Sequence, residues 1–282
     1  MENIDLHNHS RVSDGLLSPT ELVRLAASNG VTTLSLTDHD DIEGLAEAKA
    51  AADEAGIRFI NGVEISVTWG SHTIHVVGLN IDPQQSKLVQ GLHQIRQGRL
   101  ARAKLIGDEL AKVGISGAFE GALRFAQNPN IIARPHFARY IVEQGHAKNV
   151  GQVFKRFLIK GKPGYVRHRW AELSDALSWI RAANGIPVLA HPGRYEMGKA
   201  QMETLIDEFM DHGGQALEVV TSNHNKEEVE IFAQHARKRN LMASRGSDFH
   251  GPGESFCEPG KLPELPYGCR PVWQMWSSPS TH

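Results

Sequence analysis

Ile4-Asp5-Leu6-His7-Asn8-His9-Ser10 decides how this chain is read. On a strand, residues two apart share a face, so His7 and His9 can reach one ion. Two histidines alone are weak evidence, because satisfied surface or core imidazoles are the commoner meaning. The weight comes from residues further along the chain: Asp14 in Ser13-Asp14-Gly15, His39 in Thr37-Asp38-His39-Asp40, Glu64 in Gly62-Val63-Glu64-Ile65 and His75 in Thr73-Ile74-His75-Val76. His191 then succeeds Leu189-Ala190, and Asp248 and His250 stand in Gly246-Ser247-Asp248-Phe249-His250. Most of these lie at or just beyond the ends of short apolar runs at 31–36, 58–60, 186–189 and 241–243. In a parallel barrel the strand ends converge on one face, so residues scattered in sequence are expected to meet in space.

Around that series, residues 1–80 read as alternating strands and helices. Ser18-Pro19-Thr20-Glu21 is a capping box with proline in the first turn, and the helix it opens stops at Gly30. A strand at 31–36, a helix at 42–55 and strands at 58–65 and 72–79 come next, which implies an α/β fold with a mostly parallel sheet. From 83 to 163 the pattern changes to helices without strands, at 84–113, 119–127, 134–144 and 150–159. We read this span as an inserted helical cap, with the barrel formed by 1–82 and 164–282. The rhythm resumes with helices at 172–183, 200–212 and 226–239 and strands at 186–190, 216–220 and 241–244. A packed coil is expected after Pro252, with Trp273 and Trp276 in its aromatic tail.

The net charge of -2 hides an asymmetry. Between Arg96 and Arg169 there are 15 Lys and Arg against four acids, leaving 15 basic residues against 28 acids elsewhere. One local basic patch beside a metal site suggests a small, multiply phosphorylated anion rather than a long nucleic-acid footprint. Only two cysteines, Cys257 and Cys269, occur, too few for a disulfide framework. The start of the chain lacks a signal-peptide pattern, and no apolar run approaches the ~20 residues needed to span a bilayer. A cytoplasmic location with no membrane association and no obligate protein partner is expected.

Nine candidate ligands (His7, His9, Asp14, His39, Glu64, His75, His191, Asp248 and His250) exceed what one or two ions need, and Glu64 can bridge. Three ions are expected. Mixed imidazole and carboxylate donors suit zinc, manganese or iron and argue against calcium. Six ionic charges against only three carboxylates would leave an electropositive floor suited to phosphate. In the order and spacing of these motifs the chain resembles the polymerase and histidinol phosphatase superfamily. The resemblance implies a distorted (βα)7 barrel of the TIM type with a trinuclear site that hydrolyses phosphoesters. It also implies a ligand partition of His7, His9, Glu64 and Asp248; then Glu64, His75 and His191; then Asp14, His39 and His250. Manganese is the first choice, with zinc, iron or magnesium as alternatives.

Within that superfamily, the stretch Ile132-Ala133-Arg134-Pro135-His136-Phe137-Ala138-Arg139 and the later Gly161-Lys162-Pro163-Gly164-Tyr165-Val166 resemble bacterial nucleoside 3′,5′-bisphosphate phosphatases, proteins also described as trimming short RNA from its 5′ end. Arg99 and Arg102, three apart on a helix, share a face and could fork onto one phosphate, and Arg134 stands at a potential anion-binding helix start. His136 and His224 are secondary candidates for substrate contact. Asp38 and Asp40 are expected to orient the His39 imidazole. No phosphate loop, dinucleotide fingerprint or nucleophile elbow occurs, so a covalent Ser or Cys mechanism has no support. The expected activity is metal-assisted removal of the 3′-phosphate from a nucleoside 3′,5′-bisphosphate, with His39, His191 or Asp14 in catalytic roles. Histidinol-phosphate hydrolysis, 5′-3′ trimming of short RNA and a noncatalytic metal-bound nucleotide sensor are the alternatives.

Overall fold

The computed structural model describes residues 2–126 and 128–276. The last residue of the helix expected over 119–127, and the end of the expected C-terminal coil at 277–282, lie outside the described residues. The first helix, α1 (Pro19–Ser28), begins as its sequence dictates. Ser18 Oγ accepts the Glu21 N–H at 3.1 Å, and the Glu21 carboxylate accepts the Ser18 N–H at 2.7 Å.

Strands β1 (Ile4–Asp5), β2 (Thr33–Leu36) and β3 (Arg58–Trp69) pair in parallel, with α2 (Leu45–Ala55) between the last two. β3 then folds back on β4 (His72–Leu79) through a turn whose Gly70 has φ 57°, and this pair is antiparallel. So short a connection cannot make a parallel crossover. β4 is therefore the exception in the mostly parallel sheet, and it also meets β6 (Ile186–Leu189) antiparallel. β6, β7 (Ala216–Thr221) and β8 (Met242–Gly246) are again parallel. The ring of seven strands closes where Leu6 N–H donates to Arg245 O at 3.1 Å and Asp248 N–H to His7 O at 2.8 Å. A short β5 (Ala171–Glu172) adds to β3 outside that ring.

Strand alternation sorts side chains into two layers. Val63, Ile65 and Val67 of β3 and Ile74 and Val76 of β4 face the helical layer, packing with residues of α1, α2, α7 (Leu173–Ala182), α8 (Lys199–Asp211) and α9 (Lys226–Lys238). A separate cluster has no α-helical member and takes Ile4, Ile60, Val77, Val188, Ala216 and Met242 from six strands of the ring, so it fills the barrel. Val272, Trp273 and Trp276 of the C-terminal segment close this cluster, and Ala243 N–H donates to Arg270 O at 2.8 Å.

The helical span is built on α3 (Ser86–Ala111), a helix of 26 residues. Its first half inserts Leu88, Leu92 and Ile95 into the barrel's helical layer, whereas Ala103, Ile106 and Leu110 of its second half belong to a separate core. That core gathers Ala118 and Ala122 of α4 (Ala118–Phe125), Phe137 and Ile141 of α5 (Arg134–Glu143) and Val153 of α6 (Val150–Val153). The helix expected over 150–159 is α6 continued by a π-helical turn over Phe154–Leu158. No described helix is long and apolar enough to cross a membrane.

Candidate metal centre

All nine candidate ligands converge at one mouth of the barrel. Ligand atoms lie within 4.8 Å of one another in each of four overlapping groups: His7, His9 and Asp248; His7, Glu64 and His191; His39, Glu64 and His75; and His9, Asp14, His39 and His250. Glu64 is the hub. Its Oε1 lies 2.9 Å from both His75 Nδ1 and His191 Nε2, and its Oε2 lies 2.8 Å from His39 Nδ1. Glu64 and His75 reach the mouth from inside the hairpin rather than from strand ends, because they occupy its interior-facing register. The three expected ligand sets are not cleanly separate, since His9 also joins Asp14, His39 and His250, and His39 also joins Glu64 and His75.

The residues fit divalent cations. Five buried atoms of this set, His9 Nδ1, Asp14 Oδ1, His39 Nδ1, Glu64 Oε2 and His191 Nδ1, have no hydrogen-bond partner. His39 Nδ1 and Glu64 Oε2 are close but not aligned to bond each other. In folded proteins buried polar atoms are ordinarily paired, and imidazole nitrogens with carboxylate oxygens are the donors that zinc, manganese and iron take. Charge is balanced accordingly. Burial pushes the Glu64 carboxyl upward, but His75, His39 and His7 hold it well below the ordinary carboxylate range. Burial and then the neighbouring His250 and His39 bring His9 down to about 3, and burial with Arg194 does the same to His191. Both imidazoles are thereby neutral near pH 7, the form that ligates.

The supporting shell holds several residues that sequence reasoning missed. Glu218 on β7 accepts the His191 N–H at 2.6 Å with one oxygen and meets His7 Nδ1 at 3.0 Å with the other. The signal was present: in Ala216-Leu217-Glu218, alternation puts an acid on the interior face beside buried Ala216. Next to it, a Cβ on Gly246 would stand 2.2 Å from His7 Cβ and 2.8 Å from Glu218 Oε1, so only glycine fits. Arg194 pairs with Asp248, and nothing in Pro192-Gly193-Arg194 announces that turn. Arg139 binds both oxygens of Glu254 and donates to the Asp14 carbonyl at 2.6 Å. Its i,i+3 spacing from His136 on α5 was the available clue.

Asp38 and Asp40 do not orient His39 as expected. Asp38 is buried and accepts Ser10 N–H at 2.7 Å and both Ser10 and Ser13 hydroxyls at 2.6 Å, so it holds the loop that carries Asp14. Burial raises its carboxyl to about 7. Asp40 instead accepts the Ser66 N–H at 2.7 Å and pairs with Arg99.

Beside the ligands lies a cleft of about 140 Å³ lined by Asp14, His39, His75 and His250 on one side and by Arg99, Arg102 and Arg134 on the other. The three arginines share the cleft but not the same state. Arg99 is 4% exposed, bound to Asp40 and to Ser66 Oγ (3.1 Å), and its guanidinium lies 4.7 Å from the Trp170 ring centre. It is therefore held within the structure and is not an open fork for phosphate. Arg102 and Arg134 donate only to backbone carbonyls, Val166 O at 3.2 Å and Leu158 O at 3.5 Å, and neither forms an ion pair among the described residues. Burial, with Arg134 and Arg99 adding repulsion, pushes Arg102 down to about 9. His136 Nδ1 accepts the Ala133 N–H at 3.0 Å and its ring bonds the Ser13 backbone, so it ties the cap to the Asp14 loop. His224 is away from the cleft: its Nε2 accepts the Gly193 N–H at 3.0 Å and its Nδ1 meets Val219 O at 3.0 Å, which fixes the turn after His191.

The chain is 52% identical over 274 residues to a 3′,5′-nucleoside bisphosphate phosphatase of Chromobacterium violaceum, covering 97% of this chain and 96% of that protein. It is 43% identical over 270 residues to a 5′-3′ exoribonuclease of Haemophilus influenzae, covering 96% of this chain and 97% of that one. Among solved structures, an amidohydrolase from Chromobacterium violaceum, with sulfate bound and no metal, superposes with a TM-score of 0.94 at 52% identity, covering 97% and 95% of the two chains. The model of the PHP domain matches residues 5–222, which carry seven of the nine clustered ligands, and the chain therefore belongs to the PHP domain family.

Proposed function

We propose that the protein is a metal-dependent phosphomonoesterase that removes the 3′-phosphate from nucleoside 3′,5′-bisphosphates and leaves the 5′-monophosphate. The observation that carries this reading is the pair of half-buried cations, Arg102 and Arg134, without carboxylate partners beside a histidine and carboxylate cluster. Charges partly withdrawn from water gain from a partner, so this pair suits an anion from outside. The bisphosphate phosphatase from Chromobacterium violaceum supports the same substrate class.

In this reading His7, His9, Glu64 and Asp248, with His75, His191, Asp14, His39 and His250, would hold three divalent ions, manganese first among them. Divalent ions bound there would supply neutralisation of phosphoryl charge and a more acidic water near neutral pH. The chain's own residues fix the geometry. Arg102 and Arg134 hold the 5′-phosphate; Trp170, whose ring Arg99 and Arg102 both face, is the wall on which Arg102 rests. Glu218 and Gly246 keep His7 and His191 in place, and Asp38, His136 and Arg139 keep the Asp14 loop. The span 83–163 then selects the substrate while the barrel performs the chemistry, in a cytoplasmic protein whose two cysteines are free.

Trimming of short RNA from its 5′ end is the second reading, favoured by the likeness to the Haemophilus influenzae exoribonuclease. Histidinol phosphate would leave Arg102 and Arg134 without a guest. Phosphate release from adenosine 3′,5′-bisphosphate, histidinol phosphate and an aryl phosphate, with metal analysis of the same sample, tests the proposal. The bisphosphate should be preferred by at least an order of magnitude in kcat/KM, and a preference for histidinol phosphate would refute it.

A further inference from the structure

The cleft has a second lobe. Pro135, Phe154, Arg194 and His250 line both the arginine cleft and a neighbouring space of about 150 Å³ that contains none of Arg99, Arg102 or Arg134. Asp248 and His250 form part of its wall, Asn223 donates to Asp248 Oδ2 at 3.2 Å there, and Phe256 stands at its lip, 82% exposed. The rings of Trp170 and Phe154 are already faced by guanidinium groups, at 4.7 and 5.2 Å for Trp170 and 5.7 Å for Phe154. Phe256 thus offers an open aromatic face within reach of the ligand cluster.

Chemistry says what such a lobe could serve. A nucleoside 3′,5′-bisphosphate and a 5′-phosphorylated RNA present the same reacting bond, from phosphorus to the 3′-oxygen of the first nucleotide. In the bisphosphate the phosphoryl group bears only oxygens; in RNA it also carries the next nucleoside through that nucleoside's 5′-oxygen. Hydrolysis of either adds the oxygen of water to phosphorus, breaks the bond to the 3′-oxygen and delivers a proton to that oxygen. The products are a nucleoside 5′-monophosphate with either inorganic phosphate or an RNA one residue shorter that bears a new 5′-phosphate. One site can serve both substrates if the phosphoryl position has room for a second nucleoside away from the 5′-phosphate.

We infer that the lobe between Asn223 and Phe256 holds that second nucleoside, with the Phe256 ring stacking its base. The inference rests on the proposed phosphatase reading and extends it to oligoribonucleotides. Arginines on one side hold the terminal phosphate, and the lobe on the other receives the rest of the RNA. Stacking tolerates every base, so trimming can repeat along a sequence.

The test compares adenosine 3′,5′-bisphosphate with the 5′-phosphorylated diadenosine dinucleotide on the metal-loaded protein. Phe256→Ala should lower kcat/KM for the dinucleotide roughly five- to a hundredfold, the range of one lost stacking contact, while bisphosphate hydrolysis stays within about twofold. Phe256→Trp should retain dinucleotide hydrolysis, because it keeps a ring. Equal effects on both substrates, or none on the dinucleotide, would overturn the assignment of the lobe. A wild-type protein that hydrolyses the bisphosphate but not the dinucleotide also removes it and leaves the phosphatase reading standing. Hydrolysis of neither removes both.

Discussion

The barrel mouth and the cap cleft handle charge in opposite ways. At the mouth, Asp14, Glu64 and Asp248 stand among six imidazoles, and every member has an oppositely disposed neighbour within ligand reach. Of the three cap arginines in the cleft only Arg99 has a carboxylate of its own, and Arg102 and Arg134 rest on carbonyls and ring faces. The mouth is organised by its own residues, whereas the cleft keeps uncompensated charge for a visitor. Changes at the mouth should therefore act on every substrate, and changes in the cleft only on substrates with a second phosphate.

The sharpest break would come at Glu64, whose two oxygens face five imidazoles, those of His7, His9, His39, His75 and His191. Glu64→Ala should reduce turnover of bisphosphate and aryl phosphate alike by more than about a thousandfold, roughly 4 kcal/mol, and release at least one ion. Full metal content with normal turnover would dissolve the distinction between the two regions. Arg99→Ala comes next and separates fold from binding. It leaves Asp40 buried and unpaired, so stability in urea should fall by about 3 kcal/mol. Unchanged stability with a selective loss on the bisphosphate would return Arg99 to the phosphate-binding group.

Arg102→Ala and Arg134→Ala probe the cleft alone. Each should lower kcat/KM for the bisphosphate about ten- to a hundredfold, from roughly 1.5 to 3 kcal/mol of charge-assisted contact, and spare an aryl phosphate. Equal losses on both substrates would place these arginines at the scissile phosphate. Glu218→Gln is the mildest at the mouth: it keeps the shape and removes the charge that steadies His7 and His191. Ion affinity measured by calorimetry should weaken about tenfold with the fold intact, and unaltered affinity would mean that Glu218 only fills space.

The mouth was legible in the sequence because a strand has a period of two and a barrel gathers its strand ends, so motif order alone predicted the meeting of residues 4 to 250. The antiparallel β4 was not, because His72–Leu79 looks the same in either direction and only the turn at Gly70 dictates it. In the cap, helical spacing correctly put Arg99 and Arg102 at one cleft but could not reveal that Asp40, fifty-nine residues earlier, claims the first of them. His224 was unreadable for the same reason: its partners, Gly193 and Val219, are backbone atoms that carry no sequence signature. Pairing across the fold, rather than local pattern, is the information that was missing.

Helix α3 has one more implication. Its first half is rooted in the barrel's helical layer and its second half in the cap core, along 26 residues without a break. A swinging lid needs a joint, and here the main strut between the two parts is a continuous rod. Opening the cap by rotation would tear one of the two cores, so nucleotide must enter past side chains at the rim, and heat should melt barrel and cap in a single cooperative transition.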